Sequence, residues 1–190
     1  MTPDARIDDL SDEQLMLLVK FDNDDAFRAL FERHKRGVLG YVWRRCGDRG
    51  AAEDILQEVF LGAWRTRGGY EPVAKFTTWL YAMARNACAN RLVRASRERA
   101  RIRRVGEAWR PSRVGDEPLP RLQAEETGRA VEAALGRLPE RQREVVLLRE
   151  VAGLAYGEIV DVTGWPMGTV KTELHRGRRR LAELLGETLR

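Results

Sequence analysis

Apolar residues recur along most of this chain at intervals of three and four, which places them on one side of an α-helix. No run of strictly alternating apolar and polar residues predicts a strand. In the first half the pattern predicts four helices, and these begin near Ser11, Asn23, Ala51 and Thr77. The fourth continues to about Arg94 or beyond. The pattern therefore predicts an all-α fold.

The second half carries four further helical patterns, over about residues 121–137, 140–151, 156–163 and 167–186. Leucine-proline, glycine and glycine-tryptophan-proline sequences separate them, and such residues commonly end helices.

The composition changes between the two halves. Residues 94–113 contain eight arginines and two glutamates, and prolines and a glycine follow. This composition predicts an exposed basic arm and a flexible linker. We therefore predict two small helical domains, residues 1–95 and 121–190, joined by a flexible linker over residues 96–120.

Charge is distributed unevenly along the 190 residues. The formal net charge is +5, but residues 1–32 contain nine acidic and three basic residues, so the remaining 158 residues carry +11. An excess of this sign favours a polyanionic partner. With two cysteines, no apolar run of about 20 residues and an acidic N-terminus, the chain has the features of a cytoplasmic protein without membrane insertion.

The last two helical patterns, over residues 156–163 and 167–186, have the layout of a helix-turn-helix, whose second helix enters the DNA major groove. One side of the second helix carries a packing stripe of Val170, Leu174, Gly177, Leu181 and Leu184. The opposite side carries Thr172, His175, Arg176 and Arg179, which are side chains that contact phosphates and bases. The alternative is a solvated basic helix on a bundle. His175 has no neighbouring metal-ligand pattern, so we predict no metal site.

The helix predicted over residues 51–64 has an acidic outer face that also presents apolar side chains. This face comprises Asp54, Gln57, Glu58 and Leu61, with Phe60 and Trp64 at its flank. Carboxylates repel phosphate, so the face favours a protein partner over DNA. Alternatively, Leu61 and Trp64 pack against the N-terminal helices.

In the next predicted helix, aromatic residues alternate with basic and amide side chains. Phe76, Trp79 and Tyr81 stand among Lys75, Arg85, Asn86 and Arg91. This combination is typical of surfaces that stack unpaired bases and hold the nucleic-acid backbone. The alternative is that Phe76 and Trp79 are core residues.

Three stretches together resemble one family. DILQEVFLGAW, KFTTWLYAMARN and the long run from Leu138 to Leu181 closely resemble the extracytoplasmic-function group of the sigma-70 superfamily of RNA polymerase sigma factors. The resemblance covers about residues 24–95 and 122–186. It implies a region 2 helical bundle and a region 4 domain with a helix-turn-helix.

The resemblance also implies partners and roles. Core RNA polymerase would bind Asp54, Gln57, Glu58, Phe60, Leu61 and Trp64. The −10 promoter element would be opened and held by Tyr70, Glu71, Lys75, Thr77, Thr78, Arg85 and Asn86. The −35 element would be read in duplex form by Thr169, Lys171, Thr172, His175, Arg176, Arg178 and Arg179. Many relatives carry Ser-Arg where this chain has Thr172-Glu173, and Glu173 removes a positive charge near DNA.

Further expectations follow from the same resemblance. An anti-sigma protein would hold the chain inactive, and the chain would need no cofactor, small-molecule substrate or catalytic site. One rival reading is a DNA-binding regulator that works without polymerase, which leaves the two middle motifs unexplained. The other is an enzyme acting on nucleic acid, for which the sequence shows no nucleophile or metal-ligand constellation.

Overall fold

A computed structural model describes residues 6–105 and 122–188 of the chain. In these ranges it contains α-helices and two short 3-10 helices, Ile7–Asp9 and Arg67–Gly69, and no strand. The α-helices are α1 (Asp12–Val19), α2 (Asp24–Cys46), α3 (Arg49–Thr66), α4 (Phe76–Val105), α5 (Leu122–Gly136), α6 (Glu140–Glu150), α7 (Tyr156–Thr163) and α8 (Met167–Thr188). The predicted all-α fold is confirmed.

Side-chain caps mark the starts of the first three helices, and α3 begins at Arg49, two residues before the predicted Ala51. The Ser11 hydroxyl accepts a hydrogen bond from the Gln14 amide at 3.2 Å, and the Gln14 side chain accepts one from the Ser11 amide at 2.9 Å. Asn23 caps α2 through the Ala26 amide at 2.9 Å, and Asp48 caps α3. Local sequence therefore determines these starts, because each cap lies within three residues of the amide it binds.

Helix α4 begins with a cap from a distant part of the chain. The Glu13 carboxylate in α1 accepts a hydrogen bond from the Phe76 amide at 3.0 Å. This hydrogen bond lowers the pKa of Glu13, although partial burial opposes the shift. The contact fixes α1 against the start of α4.

The same helix extends further than the composition predicts. Residues 96–105, which we assigned to the linker, continue α4 as regular helix. Arginine, alanine and glutamate are good helix formers, and a helix already begun is extended at little further cost. Residues 106–120 of the predicted linker lie outside the described ranges.

Helices α7 and α8 form the predicted helix-turn-helix. Gly164 ends α7 in the left-handed conformation, with φ of +70°, and its amide donates to the Val160 carbonyl at 2.7 Å. The predicted stripe on α8 faces inward, since Val170 and Leu174 are fully buried and Leu184 is nearly so.

Gly177 lies where α8 packs tightly against α6. A methyl group there would lie 2.8 Å from Val146 Cγ2 and 3.3 Å from the Gln142 carbonyl oxygen. Gly177, a member of the predicted packing stripe, therefore permits a close contact between the two helices.

The N-terminal half (α1–α4) and the C-terminal half (α5–α8) pack against each other. Helix α7 lies against α4, and α5 and α6 lie against α2. This arrangement brings together residues about 100 positions apart in the chain.

Candidate protein and nucleic-acid interfaces

The outer face of α3 exposes a mixture of acidic and apolar side chains. Asp54, Gln57 and Glu58 are exposed, and Leu61 is 51% exposed. Their spacing of three, one and three residues places all four on one side of the helix. The inner side of α3, including Ile55 and Val59, is buried in the core. This polar and apolar face is available to a protein partner.

Phe60 belongs to the core rather than to this face. It is 3% exposed, and its ring makes edge contacts with Phe27 and Phe31 of α2 at centroid distances of 6.2 and 4.9 Å. The resemblance implied that Phe60 binds core RNA polymerase, but its buried side chain can act on such a partner only indirectly, by supporting α3. The aromatic packing supports α3 from behind.

A shallow groove of about 470 Å³ runs between α2 and α3 beside the exposed face. Its lining is largely apolar, with one acidic and one basic residue, and comprises Asp24, Phe27, Arg28, Phe31, Leu61 and Trp64. The ring centroids of Trp64 and Phe27 lie 5.0 Å apart, and the Arg67 guanidinium lies 4.3 Å from the centroid of the Trp64 ring. Trp64 therefore packs partly against the N-terminal helices, as the alternative interpretation proposed, whereas Leu61 remains outside the core.

The predicted −10 residues divide into buried and accessible groups. Tyr70 and Thr78 are each 4% exposed, and the Tyr70 ring packs against Trp79 and Phe76. Burial raises the pKa of Tyr70. Glu71 and Asn86 are exposed, and Thr77 is half-buried. Phe76 is fully enclosed, so its alternative role as a core residue is confirmed.

Two basic residues of this group contact the C-terminal half. The Lys75 ammonium lies 2.9 Å from Glu158 of α7, and this hydrogen bond raises the pKa of Lys75. The Arg85 guanidinium lies 5.9 Å from the Trp165 ring and 3.7 Å from the Glu144 carboxylate. In this arrangement both cations are engaged within the chain.

Helix α8 exposes the basic and hydrogen-bonding face that its sequence predicts. Lys171, Thr172, His175, Arg176 and Arg179 are exposed, whereas Thr169 is half-buried. Side chains of this kind on a helix-turn-helix second helix suit the major groove.

Neighbouring carboxylates hold several cations of α8. Arg178 donates two hydrogen bonds to Glu150 of α6, at 2.8 and 2.5 Å. Glu173 is half-buried and lies 3.7 Å from Arg176. Glu173 thus orients a basic neighbour as well as reducing the net charge of this face.

A buried polar cluster between the halves was missed by the sequence analysis. The Tyr41 hydroxyl donates to Glu144 at 2.6 Å, and the Arg45 Nε donates to its other carboxylate oxygen, also at 2.6 Å. Burial and Glu144 together raise the pKa of Tyr41 well above its ordinary value. The sequence did contain one signal of this cluster, because the carboxylate of Glu144 stands in the apolar stripe of α6, four residues before Leu148.

Two kinds of feature are absent from the described residues. No group of three or more histidine, cysteine or acidic side chains there is placed to hold a metal ion. Among the same residues, no helix combines the length and apolar character needed to cross a membrane.

Comparison with known proteins identifies the two halves. The Sigma-70 region 2 family model matches residues 30–98, and the Sigma-70 region 4 family model matches residues 128–181. The chain is 37% identical to the RNA polymerase sigma factor CarQ of Myxococcus xanthus, covering 86% of this chain and 91% of CarQ. It is 30% identical to the ECF RNA polymerase sigma factor SigW of Bacillus subtilis, covering 88% and 92%.

Solved structures share the fold. CnrH, solved in complex with the cytosolic domain of CnrY, superposes with a TM-score of 0.68 at 23% identity, covering 93% of this chain and 97% of CnrH. The two family regions occur in the expected order, on the two helical halves. The chain therefore belongs to the extracytoplasmic-function group of the sigma-70 family of RNA polymerase sigma factors.

Proposed function

We propose that the face of α3 formed by Asp54, Gln57, Glu58 and Leu61 binds core RNA polymerase. The observation that carries this assignment is the exposure of three polar or acidic side chains around a half-exposed leucine on a rigid helix. Interfaces of this composition bury an apolar centre within a polar rim. The adjoining groove, with Trp64 in its wall, extends the apolar area.

The exposed face of α8 is proposed to read the −35 element as duplex DNA. Lys171, Arg176 and Arg179 supply positive charge, and Thr172 and His175 supply hydrogen-bonding groups. Thr169 and Arg178 stand at the edges of this face. Thr169 is half-buried and Arg178 is already bound to Glu150, so both would help to position this face on DNA.

The −10 element is proposed to meet the loop from Tyr70 to Lys75 and the start of α4. Of the residues assigned to it, Glu71, Lys75 and Asn86 are exposed, and Thr77 and Arg85 are half-buried. Tyr70 and Thr78 support this surface from within, because both are buried. Holding an unpaired base there would offset the stacking energy lost on strand opening, which is a few kcal/mol.

In this proposal the chain acts by binding alone. It has no catalytic role of its own and works in the cytoplasm with polymerase and promoter DNA. The division into a −10 domain (1–95), a linker (96–120) and a −35 domain (121–190) belongs to the same proposal.

An anti-sigma protein is proposed as a further partner. Two structural relatives support this: CnrH was solved with the cytosolic domain of CnrY, and the sigma factor RpoE of Bartonella quintana with the anti-sigma factor NepR. Affinity purification from the native host should recover such an inhibitor. Repeated recovery of polymerase without any inhibitor would contradict this part.

Binding to purified bacterial core polymerase tests the main assignment. A Gln57→Ala/Glu58→Arg variant should bind roughly tenfold or more weakly than the wild type, because it removes polar contacts and reverses one charge. Glu183→Arg makes the same charge reversal at an exposed site on α8 and should leave this affinity unchanged. Failure of the folded wild type to bind core polymerase would contradict the proposal.

A further inference from the structure

The two cysteines of the chain lie against each other in the N-terminal half. Cys46 is the last residue of α2, and it is half-buried against the core. Cys88 lies near the middle of α4 and is fully buried. Both thiols are free, and they share a hydrogen bond. The packing of α2 on α4 has therefore brought two oxidisable sulfur atoms into contact.

The hydrogen bond makes the two thiols unequal. Donation from Cys88 lowers the pKa of Cys46, although partial burial opposes the shift. The charges of Arg45 and Arg91 lower it further, whereas Asp48 raises it. The same hydrogen bond, together with burial, raises the pKa of Cys88. Since the thiolate is the form that reacts with oxidants, Cys46 is the more reactive member of the pair.

A buried guanidinium adjoins the pair. Arg45 directly precedes Cys46 and is 6% exposed, and its charge acts to lower the pKa of both thiols. Its Nη1 atom is buried without a hydrogen-bond partner among the described residues. A nearby cation favours the ionised form of a thiol. Arg45 therefore supplies positive charge beside the Cys46 thiolate.

These features differ from those of cysteines that serve only to pack a core. A buried cysteine in apolar surroundings is inert, because its pKa is raised. Redox-sensing cysteines are instead accessible, ionise readily and stand beside a second cysteine that can complete a disulfide. Cys46 and Cys88 meet these conditions together, the first by its partial exposure and cationic neighbours, the second by its position.

We propose that Cys46 and Cys88 form a peroxide-sensitive dithiol, in which Cys46 reacts with a hydroperoxide and Cys88 completes a reversible disulfide between α2 and α4. A disulfide of this kind suits a reducing compartment, where protein disulfides are usually transient and redox-sensing. The sulfur atoms are about 2.05 Å apart in a disulfide, so two sulfurs in contact need only a short approach.

The reaction proceeds in two steps. The Cys46 thiolate attacks one oxygen of hydrogen peroxide, so that an S–O bond forms, the O–O bond breaks and the departing hydroxide takes up a proton to become water. The Cys88 sulfur then attacks the Cys46 sulfur, so that the S–S bond forms and the S–O bond breaks. The second hydroxide leaves as water with the proton of Cys88. Two thiols thereby lose two electrons, and one peroxide is reduced to two waters.

The first step prepares the second. The negative charge of Cys46 is one cause of the raised pKa of Cys88. Conversion of that thiolate to a neutral sulfenic acid removes this charge, so Cys88 ionises more readily when its attack is needed. Exchange with a small thiol or a dithiol reductant would later reopen the disulfide.

The disulfide would enclose residues 47–87, which include α3 and the loop before α4. A cross-link across such a segment restricts the unfolded chain and so favours the folded one. The oxidised protein should therefore melt roughly 5–10 °C above the reduced protein. The N-terminal half would thus keep its fold more firmly while oxidant is present.

Counting of thiols on the full chain tests the proposal. The folded protein is treated with hydrogen peroxide and then unfolded in denaturant with N-ethylmaleimide, and the intact mass gives the number of alkylated cysteines. The reduced wild type should carry two adducts and the oxidised wild type none, and a thiol reductant should restore both. Peptide mapping should join Cys46 to Cys88 within one chain.

Single replacements test the separate roles. In Cys88→Ala, the Cys46 sulfenic acid should persist and be trapped by dimedone, with no disulfide within the chain. In Cys46→Ala, Cys88 should stay reduced at the same dose of peroxide, because it is buried and protonated. Circular dichroism checks that both variants remain folded.

Arg91→Gln tests the electrostatic contribution without changing either thiol. It removes an exposed cation that lowers the pKa of Cys46, so the oxidation rate at pH 7 should fall severalfold. Arg94→Gln makes the same change at an exposed site three residues further along α4, and the rate should stay close to that of the wild type. This comparison stands even if a cysteine variant fails to fold.

Several results would overturn the dithiol. These are a folded wild type that keeps both thiols under peroxide, a disulfide that forms only in denaturant, a disulfide that joins two chains, and equal slowing by Arg91→Gln and Arg94→Gln. An oxidised protein that melts no higher than the reduced one would refute the stabilising effect. None of these measurements requires polymerase or DNA, so the dithiol can fail or stand independently of the proposed function.

Discussion

Replacing Gly177 by alanine tests how closely α8 approaches α6. Inside a helix, alanine is favoured over glycine by about 1 kcal/mol, so an unobstructed site should gain stability. At Gly177 the new methyl would lie 2.8 Å from Val146 Cγ2 and 3.3 Å from the Gln142 backbone oxygen. Carbon atoms in contact normally lie about 3.5–4.0 Å apart.

The clash should outweigh the propensity gain. Overpacking of a tight helix contact costs about 1–3 kcal/mol, and neither a β-branched valine nor a backbone carbonyl moves aside easily. We expect a net loss of about 1 kcal/mol, which corresponds to a melting temperature lower by about 2–4 °C for a chain of this size.

Gly186→Ala on the same helix is the matched control. Among the described residues, no neighbouring side chain or packed helix lies within 4 Å of its added methyl, so it should gain up to about 1 kcal/mol. Thermal unfolding followed by circular dichroism at 222 nm should therefore give shifts of opposite sign for two identical substitutions. A Gly177→Ala protein as stable as Gly186→Ala would refute the close α6–α8 contact.

Three further predictions concern the exposed faces and the start of α4. Leu61→Asp should weaken binding to core polymerase. It should leave the melting temperature within about 1 °C, because Leu61 is 51% exposed. A large loss of stability would place Leu61 in the core instead. Arg176→Ala should weaken binding of the holoenzyme to promoter duplex by roughly tenfold and make that binding less dependent on salt. Fluorescence anisotropy at several salt concentrations measures both effects. An unchanged salt dependence would show that Arg176 does not contact DNA. Glu13→Gln should lower the free energy of unfolding at pH 7 by about 0.5–1 kcal/mol, since the charge of Glu13 favours the start of α4. The folded-state pKa of Glu13 lies below its usual 4.5, so this contribution is complete above 4.5 and is lost as the pH falls through the lower value. Urea titrations at pH 7 and pH 3 measure it, and an undiminished difference at pH 3 would contradict the assignment.

The sequence by itself determined the helices and their order. Periodicity and caps are local properties, and so Ser11, Asn23 and Gly164 mark helix ends that the structure confirms. The membership of the inward stripe of α8, Gly177 included, also follows from spacing alone. Local composition was less informative over residues 96–105, because it did not reveal that the arginine-rich segment continues helix α4.

Only the tertiary structure decided which side chains remain on the surface. Phe60 and Tyr70 stand in motifs that suggested contact, but aromatic neighbours from other elements enclose them. The Glu13 cap on Phe76 spans 63 positions, and the Tyr41–Glu144 hydrogen bond spans 103. Helical spacing carries no information about such distant pairs, because they form only when packing brings separate helices together. The packing of the two halves against each other is therefore a property of the fold, although each half could be recognised from its own sequence.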